Sequence, residues 1–314
     1  MKSLLRILAA ATAAATFLLA AGAAHAQAPI RILHGSNAGA PQDIMLRLLA
    51  DEIEKSLKQR VIVEPRPGAE GQVAMSALKQ APADGLTIFS DGTGITSILQ
   101  APDAQHKWTD FEPLYRIQLD PFALYARRGA FASLQDMIAA MKKQPSNIRV
   151  GGFAVNGPHR ITMMMFAEKA GGSFTWVPYN SGARAIGDML GDHIEGVLSN
   201  ISVYGGFKER AIVLAHTGEA RLPQFPEVPT FKELGIDLVR YHWRGMFVKR
   251  GTSVEVIDKL FDGIDRAVKS ERFQAYLRDS ATTAGTMTRA EFTRMLVDQA
   301  AVDTVRMKEM GPAK

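Results

Sequence analysis

The 314-residue sequence contains no cysteine. That absence excludes disulfide staples, a thiol nucleophile, iron–sulfur clusters and cysteine-ligated zinc, so the fold must be held by burial alone, which a chain of this length can supply. Also missing are a Gly-x-Ser-x-Gly elbow, a Gly-x-x-x-x-Gly-Lys phosphate loop, a Gly-x-Gly-x-x-Gly turn and a His-Glu-x-x-His helix, so the common hydrolase, nucleotide and zinc signatures are absent. Ser76-x-x-Lys79 has the spacing of a Ser–Lys nucleophile, but its companion motifs are lacking and it falls in a predicted amphipathic helix. The histidines His34, His106, His159, His193, His216 and His242 are scattered, with no pair at helical ligand spacing, and neither metal nor cofactor is expected. Charge of one sign is scarce too: 37 Lys+Arg stand against 32 Asp+Glu, interleaved along the chain. This balance argues against a nucleic-acid partner and leaves a mildly positive surface that favours encounter with small anions, carboxylates above all.

Long hydrophobic runs are confined to the start. Lys2 and Arg6 lead, an alanine-rich apolar stretch covers 7–21, and Ala24-His25-Ala26 sets small residues at −3 and −1 of a cleavage point. Residues 1–26 therefore read as a secretory signal peptide cleaved near Ala26, with export to a bacterial periplasm. Beyond them no run approaches the roughly 20 apolar residues of a membrane span. With 46% hydrophobic and 22% charged residues, the remainder has the composition of a chain that folds around a core, long enough for about two domains.

What is present is alternation. Ile30-Arg31-Ile32-Leu33 reads as a strand, 36–42 as a polar loop, and Ile44, Leu48, Leu49, Ile53 and Leu57 mark a helix by their 3.6-residue spacing. Val61–Glu64 and 86–89 repeat the strand signal around a Gly-rich loop at 66–71 and a helix over 73–80. Further short strands are predicted at 122–126, 148–150, 174–177, 196–198 and 212–215, with helices from Ser133, over 159–170 and over 183–190. Thr252-x-x-Glu255 and Thr288-x-x-Glu291 are capping boxes that open C-terminal helices. Met163-Met164-Met165-Phe166 is read as helical core, as are Trp176, Tyr241 and Trp243, although these three also suit one wall of an aromatic-acid pocket. The fold class is α/β; strands separated by helices imply parallel pairing and ligands outside the carboxyl ends of the strands.

Several segments in order resemble the substrate-binding receptors of tripartite tricarboxylate transporters, the Bug family. They are Val63-Glu64-Pro65-Arg66-Pro67-Gly68-Ala69-Glu70-Gly71, Ala83-Asp84-Gly85-Leu86-Thr87, Val177-Pro178-Tyr179 with Asp188-Met189-Leu190-Gly191, and Pro226-Glu227-Val228-Pro229-Thr230 with Glu233-Leu234-Gly235. The resemblance implies a two-lobed periplasmic-binding-protein-like fold, each lobe a mostly parallel sheet flanked by helices with the ligand cleft between lobes. It places lobe 1 at 27–124 plus about 241–314 and lobe 2 at about 125–240. It also implies capture of a small organic carboxylate, a di- or tricarboxylate or aromatic acid, and delivery to the membrane permease subunits.

Candidate ligand-binding residues follow from the loops after strands. In the first, Ser36 and Asn37 offer side-chain donors at a helix start, where free N–H groups attract a carboxylate; Gly39 suits either close approach or a conformational need, and Asp43 reads as a helix cap. Asp91 and Thr93 lie in a polar turn after the third strand. Asn156 and His159 stand at the family's G-S-x-x-H loop. Tyr179, Asn180, Ser181 and Arg184 form a segment that departs from the family's V-P-Y-K-G, and Arg184 is suited to fork onto a second carboxylate. Asn200 follows a strand directly. Two other functions stay open at this level: a ligand sensor that signals to a membrane sensor kinase, and an exported enzyme, for which no convergent nucleophile and base is visible.

Overall fold

The computed structural model describes residues 27–100, 104–144 and 147–310; the expected signal peptide at 1–26 lies outside them. Three parallel strands open the chain, β1 (Ile30–His34), β2 (Val61–Pro65) and β3 (Thr87–Gly92), with β1 in the middle. Helix α1 (Pro41–Leu57) connects the first two and α2 (Gln72–Gln80) the second and third; α1 begins with proline at its first turn and ends at Lys58 in a left-handed conformation. Fixed φ and a missing N–H make proline a natural helix opener. After the short α3 (Ile95–Ile98) the chain enters β4 (Phe111–Arg127), a single strand of 17 residues.

The same three-strand pattern then recurs. Helix α4 (Leu134–Lys143) leads to β5 (Arg149–Phe153), α5 (Pro158–Ala170) to β6 (Thr175–Tyr179), and α6 (Gly182–Leu190) to β7 (Gly196–Asn200); β5 lies between β6 and β7, all parallel. Strand β8 (Ala211–His216) pairs with the second half of β4, and β9 (Tyr241–Lys249) returns to pair with its first half. Helices α7 (Val254–Val268), α8 (Glu271–Asp279) and α9 (Arg289–Met310), with the two-residue β10 (Thr283–Ala284), complete the chain.

The strand order is β2-β1-β3-β9-β4-β7-β5-β6, with β8 and β10 also on β4. Parallel pairing holds within β1–β3 and within β5–β7, as alternation predicts. The sheet as a whole is mixed, because β9 runs against both β3 and β4, and β4 runs against β7 and β8. Neither β9 nor the first half of β4 is legible as a strand in the sequence. Pro113 and Pro121 interrupt the β4 pattern, and proline normally demotes such a run; here the register shifts beside Pro113 and Pro121 closes the β9 pairing opposite Tyr241.

Four buried clusters flank the two halves of the sheet. Ile30, Ile32, Ile88, Met246 and Val248 pack under α1, α7 and α8, while Leu33, Phe89, Phe247 and Trp243 meet α2 and the Phe292 ring of α9. Phe122, Leu124 and Val150 pack with Phe166 and Phe231 on one side of the other half, and Tyr125, Val197 and Ile186 lie on its opposite side. Burial of each such large side chain contributes about 1.5–3 kcal/mol. The expected capping box at Thr288 forms, with Thr288 and Glu291 each accepting the other's N–H. That at Thr252 shifts by one residue: Ser253 caps α7, and the Thr252 hydroxyl instead donates to the carbonyl of Lys249.

The loop after β1 is fixed by one buried carboxylate. Asp43 accepts hydrogen bonds from His34 Nε2 (3.0 Å), the Gly39 N–H (2.9 Å) and Arg47 (2.9 and 3.1 Å). These bonds, led by Arg47, hold its carboxyl down at about 2. Because the folded state binds the proton more weakly than the unfolded one, this contribution is full above pH 4 and is lost as pH falls through 2. Asp43→Asn is expected to cost about 1–2 kcal/mol at pH 7 in urea unfolding, discounted for the exposed Arg47 partner, with the gap to wild type closing between pH 4 and 2.

Candidate functional site

Both three-strand units have their central strand first, so each has a switch point where successive crossovers leave in opposite directions, between β1 and β3 and between β5 and β7. Such points leave a crevice beyond the carboxyl ends of the strands. A cavity of about 310 Å³ lies there, lined from both units. Ser36 and Gln42 come from the β1–α1 connection, Gly71 from the start of α2, Asp91 from the end of β3, and Phe153, Asn156, Pro158 and His159 from the β5–α5 connection; His242 and Arg244 come from β9. Absence of side chains matters at its floor: a Cβ on Gly92 would lie 2.7 Å from the Trp243 carbonyl and 3.5 Å from His242 Nε2, so only glycine lets β3 and β9 close there.

The polar groups of this cavity are under-satisfied by the protein. Asp91 Oδ1 accepts the Gly92 N–H at 2.7 Å, but Oδ2 has no partner among the described residues, and burial pushes the carboxyl up to about 7. His159 Nε2 lies 3.3 Å from Asn200 Oδ1, leaving His159 Nδ1 and Asn200 Nδ2 unpartnered. Burial lowers His159 to about 4 and holds His242 well below its ordinary value, aided by the Arg244 charge; both rings are neutral at pH 7. The two imidazoles lie 6.1 Å apart and Phe122 meets both edge-on, at 5.1 and 6.0 Å, while Phe153 stands 6.1 Å from His159. The Arg244 guanidinium makes no side-chain hydrogen bond or ion pair among the described residues; its charge bears on Asp120, which Ser202 holds through its hydroxyl and N–H. Buried polar atoms without partners cost about 1–3 kcal/mol each, and three of the residues that carry them, Asp91, His159 and His242, line this one cavity, the pattern of a binding site. An aromatic wall, a free guanidinium and neutral imidazoles form a pocket for a small anion with an apolar body.

Of the residues singled out in the sequence, Ser36, Asp91, Asn156 and His159 line this cavity, and Asn200 stands behind His159. Asn37 and Gly39 are exposed on the loop rim, with Gly39 at a φ of 78° that answers the conformational need. Thr93 is buried and serves the backbone, donating to the Tyr241 carbonyl and accepting the Trp243 N–H. Tyr179 donates to Asp188 at 2.8 Å, Ser181 caps α6, and Asn180 and Arg184 are exposed; none of these four lines the cavity. Met163 and Phe166 are core, and Trp243 is core with its indole N–H donating to Gln299. Ser76 bonds His106 Nε2 at 2.8 Å away from the cavity. Gln42, Phe153, His242 and Arg244 were not singled out. The one signal for the last was a lone arginine inside the apolar and aromatic run Tyr241-His242-Trp243-Arg244-Gly245-Met246-Phe247.

Comparison with known proteins agrees with this fold. The family described as "Tripartite tricarboxylate transporter family receptor" matches residues 45–311. A relative from Cupriavidus necator, a "UPF0065 protein in gbd 5'region", is 28% identical over 97% of this chain and 96% of its own. A TctC solute binding protein from Polaromonas, solved without ligand, superposes with a TM-score of 0.80 at 24% identity, covering 91% of this chain and 99% of that one. An R. palustris protein solved with adipate superposes at 0.78 and 21% identity, covering 91% and 98%.

A buried carboxyl whose folded value lies near 7, against 3.8 when exposed, stabilises nothing once ionised: what it contributes below pH 4 is lost as pH rises through 7. Asp91→Asn keeps the Gly92 bond and removes the charge. The variant is expected to melt higher than wild type at pH 8, by about 1–3 kcal/mol in ligand-free protein, with the difference vanishing toward pH 4.

Proposed function

This chain belongs to the tripartite tricarboxylate transporter receptor family, whose members are periplasmic solute-binding receptors rather than enzymes, and we propose that it captures a small organic carboxylate in the cavity between the two sheet units and delivers it to the membrane permease subunits of such a transporter. The observation that carries this reading is the free Arg244 guanidinium facing an aromatic-walled cavity with neutral His159 and His242 beside it. A guanidinium forks onto a carboxylate with two charge-assisted bonds; the neutral His242 ring can supply a further donor, and Phe153 and Pro158 take the carbon skeleton. The adipate held by the R. palustris protein of the same fold is a ligand of this chemical class.

The proposal includes two lobes, 27–124 with about 241–314 and about 125–240, closing on the acid. Support comes from the chain's crossings: β4 leaves the β9 pairing at Pro121 and enters the β7 pairing at Phe122, and the return runs through Arg240 into β9. It also includes export through cleavage near Ala26.

The test is thermal unfolding of denatured and refolded protein, free of carried-over ligand, against a panel of carboxylic acids. At one hundred times Kd a true ligand stabilises the folded state by about 2.7 kcal/mol. Selective shifts by one or a few acids are expected, and Arg244→Ala is expected to weaken binding by about 1.5–3 kcal/mol, the range for a charged hydrogen-bonded pair. A flat panel contradicts the proposal; shifts that persist in Arg244→Ala remove that residue from the site.

A further inference from the structure

The two polar ends of the cavity are unlike. Asp91 pairs across the ladder with Gly245, and Gly92 with Arg244. Side chains of adjacent strand positions leave opposite faces, so the Asp91 carboxyl and the Arg244 guanidinium emerge on opposite sides of the β3–β9 edge, both bordering the same cavity. Asp91 feels only its burial and the Gly92 N–H; no cationic side chain bears on it.

The surroundings of Asp91 offer no substitute. A Cβ on Gly71 would stand 4.0 Å from Asp91 Oδ2, and Gly35 packs against Gly71, so backbone without side chains surrounds the free oxygen. The side-chain donors that the β1–α1 connection brings to the cavity are already engaged, since Ser36 donates to Gln42 Oε1 and Gln42 donates to the Ser90 carbonyl and hydroxyl. Arg244 thus brings an unpaired cation to the cavity lining, and Asp91 brings an oxygen without a partner beside which, once the carboxyl is ionised, a second anion would meet like charge.

Resting on the carboxylate-receptor reading, we infer that Asp91 selects the far end of the ligand: the acid bound against Arg244 carries a hydrogen-bond donor, an ammonium or hydroxyl group, that reaches Asp91, and a second carboxylate at that position is rejected. The ligand class is an amino or hydroxy acid with its two polar groups at opposite ends. An ammonium supplies the missing counter-charge, and a hydroxyl supplies the missing donor; either satisfies Oδ2, whereas a carboxylate satisfies neither need.

Matched ligand sets test this in the full mature protein by calorimetry at pH 8, where the Asp91 carboxyl is mostly ionised: 4-aminobutanoate, 4-hydroxybutanoate and succinate; 6-aminohexanoate, 6-hydroxyhexanoate and adipate; 4-aminobenzoate, 4-hydroxybenzoate and terephthalate. In wild type, within at least one set, the amino or hydroxy acid is expected to bind 10-fold or more tighter than the dicarboxylate, and Asp91→Asn is expected to reduce that preference at least 10-fold. Asp91→Asn removes charge from a buried group, and its far-ultraviolet circular dichroism and melting curve report its folding independently. Dicarboxylates that bind wild type as tightly as their partners, or a preference that Asp91→Asn leaves unmoved, overturn the inference while the receptor reading stands. Failure of every acid to bind either protein overturns both.

Discussion

The pairing of β9 with both β3 and β4 is the constraint on which the rest of the structure depends. Without it the first unit is three parallel strands with an open edge, and β4 is a long strand whose first half is partnered only by the two residues of β10. With it, one sheet runs through both units, and the chain's return through Tyr241, His242, Trp243 and Arg244 passes directly over the carboxyl end of β3. Trp243 anchors the strand in the core against Phe247 and Phe292, and its neighbours on either side, His242 and Arg244, are thereby delivered to the cavity. The same pairing that completes the core therefore furnishes the functional wall.

Stability and function pull against each other at this wall. His34, Asp43 and Arg47 form a hydrogen-bonded network around the Asp43 carboxylate just behind the first loop, and they hold it in one geometry. A few residues away Asp91, His159, Asn200 and His242 keep polar atoms unpartnered at real cost to the folded state. Groups of this kind persist where binding, rather than folding, satisfies them. Two ion pairs tie the units together away from the cavity lining: Arg240 pairs with the buried Asp303 of α9 at 2.8 Å, and Arg306 of the same helix pairs with Glu168 of α5.

Much of this was legible in the sequence, and the reasons for the gaps are physical. The six parallel strands and their helices declare themselves by short β-branched runs alternating with 3.6-residue periodicity, and the resemblance to the receptor family rests on turns whose glycines and prolines are backbone requirements. The antiparallel strands escaped because β4 carries two prolines and β9 mixes polar with aromatic residues along its length. Loop reasoning found Ser36, Asp91, Asn156 and His159, since residues after parallel strands face the crevice. It passed over Arg244 because the residue sits within a strand, where its direction depends on a pairing partner over 150 positions away in sequence, and it drew attention to Arg184, whose helix start faces solvent. Local chemistry was readable; which helix starts and strand ends converge was a property of the long-range pairing.

If one carboxylate of a bound acid sits against Arg244 in this cavity, a crystal structure of the protein with the acid that most raises its melting temperature will show it. Density for that acid is expected between Arg244 and the His159–His242 pair, with a carboxylate within hydrogen-bonding distance of the guanidinium. An acid found elsewhere, for instance in the second cavity lined by Arg116, Arg240 and Arg294, or in this cavity with its carboxylate turned away from Arg244, would contradict it.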